Sequence, residues 1–131
     1  MDSFLQAWSP RVLSLLRIMT GLLFMEHGTA KLLGFPNVPD FAKLELASLI
    51  GVSGILELVG GALIVIGLFT RVTAFVLCGM MAAAYFLAHA QQGFFPLLNL
   101  GELAILYCFV FLYFVFAGGG AWSIDAMRGT R

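Results

Sequence analysis

Four apolar runs, at about residues 10–33, 46–69, 71–90 and 98–117, constrain this chain more than any other feature. Each holds roughly 20 residues or more, enough for a helix rising 1.5 Å per residue to cross a hydrocarbon core ~30 Å thick. Nothing in them alternates with period two, and a helix satisfies its own backbone groups in lipid. The expected fold class is therefore all-α, an integral-membrane four-helix bundle forming a single domain over residues 1–131. Hydrophobic residues make up 61% of the chain. A soluble domain of this size could not hide so much apolar surface, so the implied solvent is lipid.

The links carry turn chemistry. Ser9 followed by Pro10 suits the start of the first helix, a side-chain cap and then a residue that needs no amide donor. The segment from Gly34 to Pro39 ends it. The second link, Gly67 to Arg71, is so short that helices two and three must be antiparallel neighbours. The third, Gln91 to Pro96, contains Gly93. Asp2 sits where a signal peptide would be basic, Arg17 interrupts the first run, and no A-x-A site follows, so the first helix is expected to be retained.

With four crossings, Arg11, Arg71, Arg128 and Arg131 fall on one side, and Lys31 and Lys43 on the other with Asp40 and Glu45. The positive-inside rule then makes both termini cytoplasmic. The zero net charge gives no reason to propose nucleic acid as a partner. Cys78 and Cys108 form no CxxC pair, and no metal motif is present. Each cysteine reads as a small packed hydrophobe.

Ionisable residues inside the runs are the functional clue, because such groups are costly in lipid and usually face a bundle interior or a wet cavity. Glu57 lies roughly 17 Å into helix two, near mid-membrane. His27, Lys31, His89, Asn99 and Glu102 fall toward the outer end and are expected to form a ring above it. On helix one, Arg17, Gly21, Phe24, Gly28 and Lys31 make one stripe at 4-3-4-3 spacing. On helix two, Ser53, Gly54, Glu57, Gly60 and Gly61 share a small and acidic face suited to close helix approach. On helix three, Cys78, Ala82, Tyr85 and His89 align. On helix four, Asn99, Glu102, Leu106, Phe109 and Tyr113 align, with Cys108 pointing away, which argues against a Cys78–Cys108 disulfide.

Blander roles stand beside these. Arg17 and Lys31 can snorkel to the interfaces. Asn99 can cap helix four, His89 can be a wet helix end, and Glu57 can be a buried ion pair or a neutral acid that fixes packing. Glu26 lies off the stripe and can be protonated, reach headgroups or meet another subunit. Phe94, Phe95 and Trp122 suit interfacial anchors. The aromatics of 109–116 suit lipid contact and core.

The segments Arg17-x3-Gly21-x2-Phe24-x3-Gly28-x2-Lys31 and Glu57-x2-Gly60-Gly61-x-Leu63-x3-Gly67-x2-Thr70-Arg71 resemble the DoxX family of small four-helix membrane proteins. The tail from Gly118 to Asp125 resembles that family's closing G-x-G-x-x-S-x-D pattern. The resemblance implies a multi-pass protein of the bacterial inner (plasma) membrane, in a family with members linked to membrane redox or oxidative-stress complexes. Members resemble a small subunit of an archaeal thiosulfate:quinone oxidoreductase, but this chain has no extra domain to bind thiosulfate. In the tail, Ser123 can cap a short helix, and Asp125 is expected to pair with Arg17 beneath the bundle.

The resulting expectation is an accessory component of a quinone-linked redox system. Glu57, His89 and Glu102 would handle protons, with His27 and Asn99 at the ligand site, quinone as the candidate cofactor, and an oxidoreductase partner supplying electrons. No catalytic residue is assigned. The alternatives are a non-catalytic assembly protein or, with only four helices and no inverted repeat, a transporter or proton pathway that would need a homo-oligomer.

Overall fold

A computed structural model describes residues 1–130 as an all-helical chain. Arg131, grouped above with the terminal basic residues, lies outside the described residues. The helices are α1 (Asp2–Leu33), α2 (Leu49–Ile66), α3 (Thr70–Ala84), α4 (Pro96–Asn99), α5 (Glu102–Ala117) and α6 (Ile124–Met127). A π-turn at Tyr85–His89 and a 3-10 turn at Ala90–Gln92 prolong α3.

Helix α1 begins two turns earlier than the Ser9–Pro10 signal suggests, with Pro10 inside it. Proline removes one intrahelical bond there, to the carbonyl of Gln6, and that residue is exposed and can find another donor. Ser48 starts α2, its Oγ accepting from Gly51 N at 3.1 Å. Gly67, at φ 68°, ends α2 in the left-handed region that glycine enters without strain. The last long helix starts at Glu102 rather than near 98, because Leu100 at φ 59° breaks the chain after the short α4.

Leu49–Ile66 and Thr70–Gln92 are long and apolar enough to cross a membrane, with mean hydropathies of 2.3 and 1.7. Helix α5 is equally apolar but has 16 residues.

Pairing is antiparallel throughout. Gly21 of α1 meets Val65 and Gly61 of α2, and Gly28 meets Leu58 and Gly54. A Cβ on Gly28 would stand 2.5 Å from the Leu58 amide nitrogen, so the two backbones approach closely because Gly28 carries no side chain at the crossing. Gly60 of α2 faces Leu77 of α3. Arg71 and Cys78 of α3 meet Val115 and Cys108 of α5. Phe24 of α1 packs edge-on against Tyr107 and Phe111 of α5, with ring centroids 5.1 and 4.9 Å apart. These rings, Ile64, Ala74, Leu77, Met81 and Phe114 make one core.

The α1 stripe and the small α2 face do turn inward. The α5 face does not. Ala104, Tyr107, Phe111 and Phe114 are buried, whereas Glu102, Leu106, Phe109 and Tyr113 are exposed. The inward face of α3 carries Thr73, Ala74, Leu77 and Met81, so Cys78 lies at its edge, half-buried. Cys108 does not point away: the two sulfurs are 3.7 Å apart, as free thiols.

Candidate functional site

The stripe on α1 brings Lys31 over the small face of α2. Lys31 Nζ donates to Glu57 Oε1 at 2.8 Å and to Ser53 Oγ at 3.0 Å. This is the one salt bridge among the described residues. Glu57 is 4% exposed. Its second oxygen, Oε2, is buried with no hydrogen-bond partner. A buried carboxylate oxygen without a donor is uncommon and marks a place where a proton, water or ligand group belongs. His27 and Tyr107 stand within electrostatic range of this carboxylate. The two rings face each other edge-on at 6.3 Å. Phe41, from the first link, covers the Lys31 ammonium at 5.8 Å. The site is therefore a polar niche between α1, α2 and α5, and its charges are balanced except for one acceptor.

His89 and Asn99 make a separate group. His89 Nδ1 bonds the Asn99 carbonyl at 3.0 Å. Asn99 Nδ2 donates to Gly93 O at 2.8 Å, and its Oδ1 accepts from Gly101 N at 2.8 Å. Asn99 is fully buried and fastens the third link rather than capping α5, whose N-cap is Gly101. The side chain of Glu102 is exposed. No hydrogen bond or salt bridge among the described residues joins this group to Glu57. The expected single ring is thus two clusters, one at Lys31 and Glu57 with His27 beside it, the other at His89 and Asn99.

The opposite end holds the tail. Arg17 is fully buried. Its Nε donates to Gly119 O at 2.7 Å, Nη1 to the carbonyls of Ile64 and Val65, and Nη2 to Trp122 O. The cation thus closes the C-terminus of α2, where the helix dipole favours it. No direct salt bridge among the described residues joins Arg17 to Asp125, although the Asp125 charge acts on the guanidinium. Asp125 instead accepts from Phe69 N at 2.9 Å and Thr70 N at 2.8 Å, capping α3 from a distant part of the chain. Partial burial alone would raise its pKa. The amides of Thr70 and Phe69 and the charge of Arg128 outweigh that and hold the carboxyl below the usual carboxylate range. Ser123 Oγ caps α6 through Ala126 N at 3.1 Å, as its position suggests. Arg71 does for α5 what Arg17 does for α2, donating to Val115 O at 2.7 Å and Phe116 O at 2.6 Å.

Tyr107 and the second cap by Arg71 are what sequence reasoning overlooks. Tyr107 lies among apolar residues on an evenly greasy helix, so no periodic signal picks it out. Arg71 is legible as a charge at a short turn and as the end of the second motif, but not as a helix cap.

Comparison with known proteins agrees with the α1 and α2 motifs. The DoxX family model matches residues 12–90. An uncharacterized protein of Haemophilus influenzae is 46% identical over 92% of this chain and 93% of its own length. An uncharacterized membrane protein of Mycobacterium tuberculosis is 25% identical over 97% of this chain and 87% of its own. No solved structure matches. With the motif-bearing helices inside the matched region and a near full-length relative besides, this chain belongs to the DoxX family of membrane proteins.

Proposed function

We propose that this chain crosses the bacterial inner membrane as a four-helix bundle, with both termini cytoplasmic, and serves as a small accessory component of a quinone-linked redox system. The observation that carries the reading is the unpartnered Oε2 of Glu57, buried beside Lys31 and near His27 and Tyr107. A quinol hydroxyl would supply the one donor this oxygen lacks. Arg11, Arg71 and Arg128 gather at the end that carries the termini, which supports the orientation. An oxidoreductase partner supplies or removes the electrons.

Titration of a short-chain quinol into the protein in nanodiscs tests this. A charge-assisted hydrogen bond is worth about 1.5–3 kcal/mol, so Glu57→Gln is expected to weaken binding by roughly 10-fold or more. Equal binding in both proteins, or none in either, sinks the proposal.

A second reading, a non-catalytic assembly protein, is favoured by the backbone-to-backbone crossing at Gly28 and by the fully engaged Arg17. Stoichiometric recovery of an oxidoreductase from native membranes, with wild-type yield from Glu57→Gln, would select it.

A further inference from the structure

Neither the clasp at Arg17 nor the niche at Glu57 uses the two cysteines. Cys78 lies about 12 Å along α3 and Cys108 about 9 Å along α5. The helices run antiparallel, so both thiols meet well inside the lengths of the two helices. Their sulfurs are 3.7 Å apart, in contact but not bonded. A disulfide needs ~2.05 Å, an approach of roughly 1.7 Å that rotation of two unbranched side chains can supply. Both residues are half-buried at the edge of the core, so each keeps one side toward the surroundings of the bundle.

We infer that Cys78 and Cys108 are a redox-active dithiol whose oxidant is a membrane quinone. In the step, two S–H bonds break and one S–S bond forms. The thiols lose two electrons and two protons. The quinone takes up the same two electrons and two protons and becomes a quinol. Thiol protons and quinone oxygens balance, so the completed step leaves no charge behind in the apolar phase. Quinones accept electrons from protein thiols in oxidising bacterial compartments, so the direction is downhill. The disulfide joins α3 to α5 where they already touch. The choice of oxidant rests on the quinone-linked reading above, whereas the thiol geometry stands apart from it.

The test uses the full chain in phospholipid nanodiscs, reduced, desalted and held without oxygen. A short-chain ubiquinone is added. Quinol is followed by absorbance, and free thiols by intact mass after maleimide treatment. The expected result is one quinol formed and two thiols lost per chain. Cys78→Ser and Cys108→Ser, each checked for native helicity, are expected to form none. Three results would overturn the inference: both thiols surviving the quinone, oxidation by diamide but not by the quinone, or undiminished quinol formation in either serine variant. A protein that binds quinol at Glu57 yet keeps both thiols refutes the dithiol alone. Loss of both thiols in Glu57→Gln at the wild-type rate supports the dithiol and counts against Glu57 as the binding group.

Discussion

Arg17→Met removes the guanidinium at the centre of the tail clasp and keeps an unbranched apolar stem, and its cost can be worked from the contacts. The guanidinium serves the carbonyls of Gly119, Ile64, Val65 and Trp122. Each bond of a charged donor contributes about 1.5–3 kcal/mol, a gross sum of roughly 6–12 kcal/mol. Withdrawing the cation from water offsets several kcal/mol of that. Ile64 O keeps another donor, the amide of Gly67 at 3.1 Å. Gly119 O keeps a long contact of 3.5 Å with Ser14 Oγ. The carbonyls of Val65 and Trp122 lose their Arg17 donor. Two carbonyls left without that donor, at about 1–3 kcal/mol each, give a net loss of about 2–6 kcal/mol. Arg17→Lys keeps the charge but not the fork, and is expected to fall between the two. Unfolding in mixed micelles gives the stability change. Hydrogen exchange at the amides of Ala121 and Asp125, which bond Pro10 O and Gly67 O, reports tail release. A loss below about 1 kcal/mol, with those amides still protected, would show that the clasp does not depend on Arg17.

Other perturbations separate the remaining contacts. Asp125 has a lowered folded pKa, so its stabilisation is complete above the ordinary carboxylate pKa and is lost as pH falls through the lower folded value. Exchange at Phe69 and Thr70 is expected to stay slow through the ordinary range and rise only below it, whereas Asp125→Asn shows no such transition. Gly28→Ala pushes a methyl against the backbone of Leu58 and Gly54 and is expected to cost about 1–3 kcal/mol in micelle unfolding. Gly79→Ala, with open space around it, is expected to be neutral or stabilising by up to about 1 kcal/mol. Lys31→Met strands Glu57 and is expected to cost about 3–5 kcal/mol, while Lys31→Met with Glu57→Leu recovers most of it; a double variant no more stable than the single one would deny their coupling.

Why the clasp needs the closing glycines is visible in the same region. Gly118 and Gly120 have φ of 77° and 78°. They turn the chain back beneath the bundle so that the carbonyls of Gly119 and Trp122 reach Arg17 and the carboxylate of Asp125 reaches the start of α3. The G-x-G-x-x-S-x-D pattern is therefore a set of backbone turns and caps, and its chemistry is structural.

What could be read in advance follows from contrast along each helix. On α1, glycines and charges alternate with large apolar residues, so the Arg17–Lys31 stripe stands out, and its burial agrees with its spacing. On α2 the small residues lie on one side and repeat the lesson. Helix α5 offers no such contrast. Leucine, phenylalanine and tyrosine occur all round it, and a lipid-facing surface is as apolar as a core. The alignment through Glu102 and Phe109 therefore had no signal to distinguish it from the true inward line through Tyr107 and Phe111.

The misplacement of Cys108 comes from that same ambiguity, and it has a chemical consequence. With α5 turned so that Phe109 faced inward, the cysteines pointed apart and the chain had no redox group of its own. With Ala104, Tyr107 and Phe111 inward, Cys108 falls at the edge that meets α3, and the sulfurs touch. The offset of His89 from the Glu57 niche has a different origin. The π-turn at Tyr85–His89 departs from the 3.6-residue period at the last turn of α3, so extrapolating the face from Cys78 could not locate His89. Rotation of one featureless helix separates a purely electrostatic site from a chain that also carries a dithiol. The thiol count after quinone treatment therefore tests the packing of α5 as directly as it tests the chemistry: a helix turned the other way would leave both thiols free.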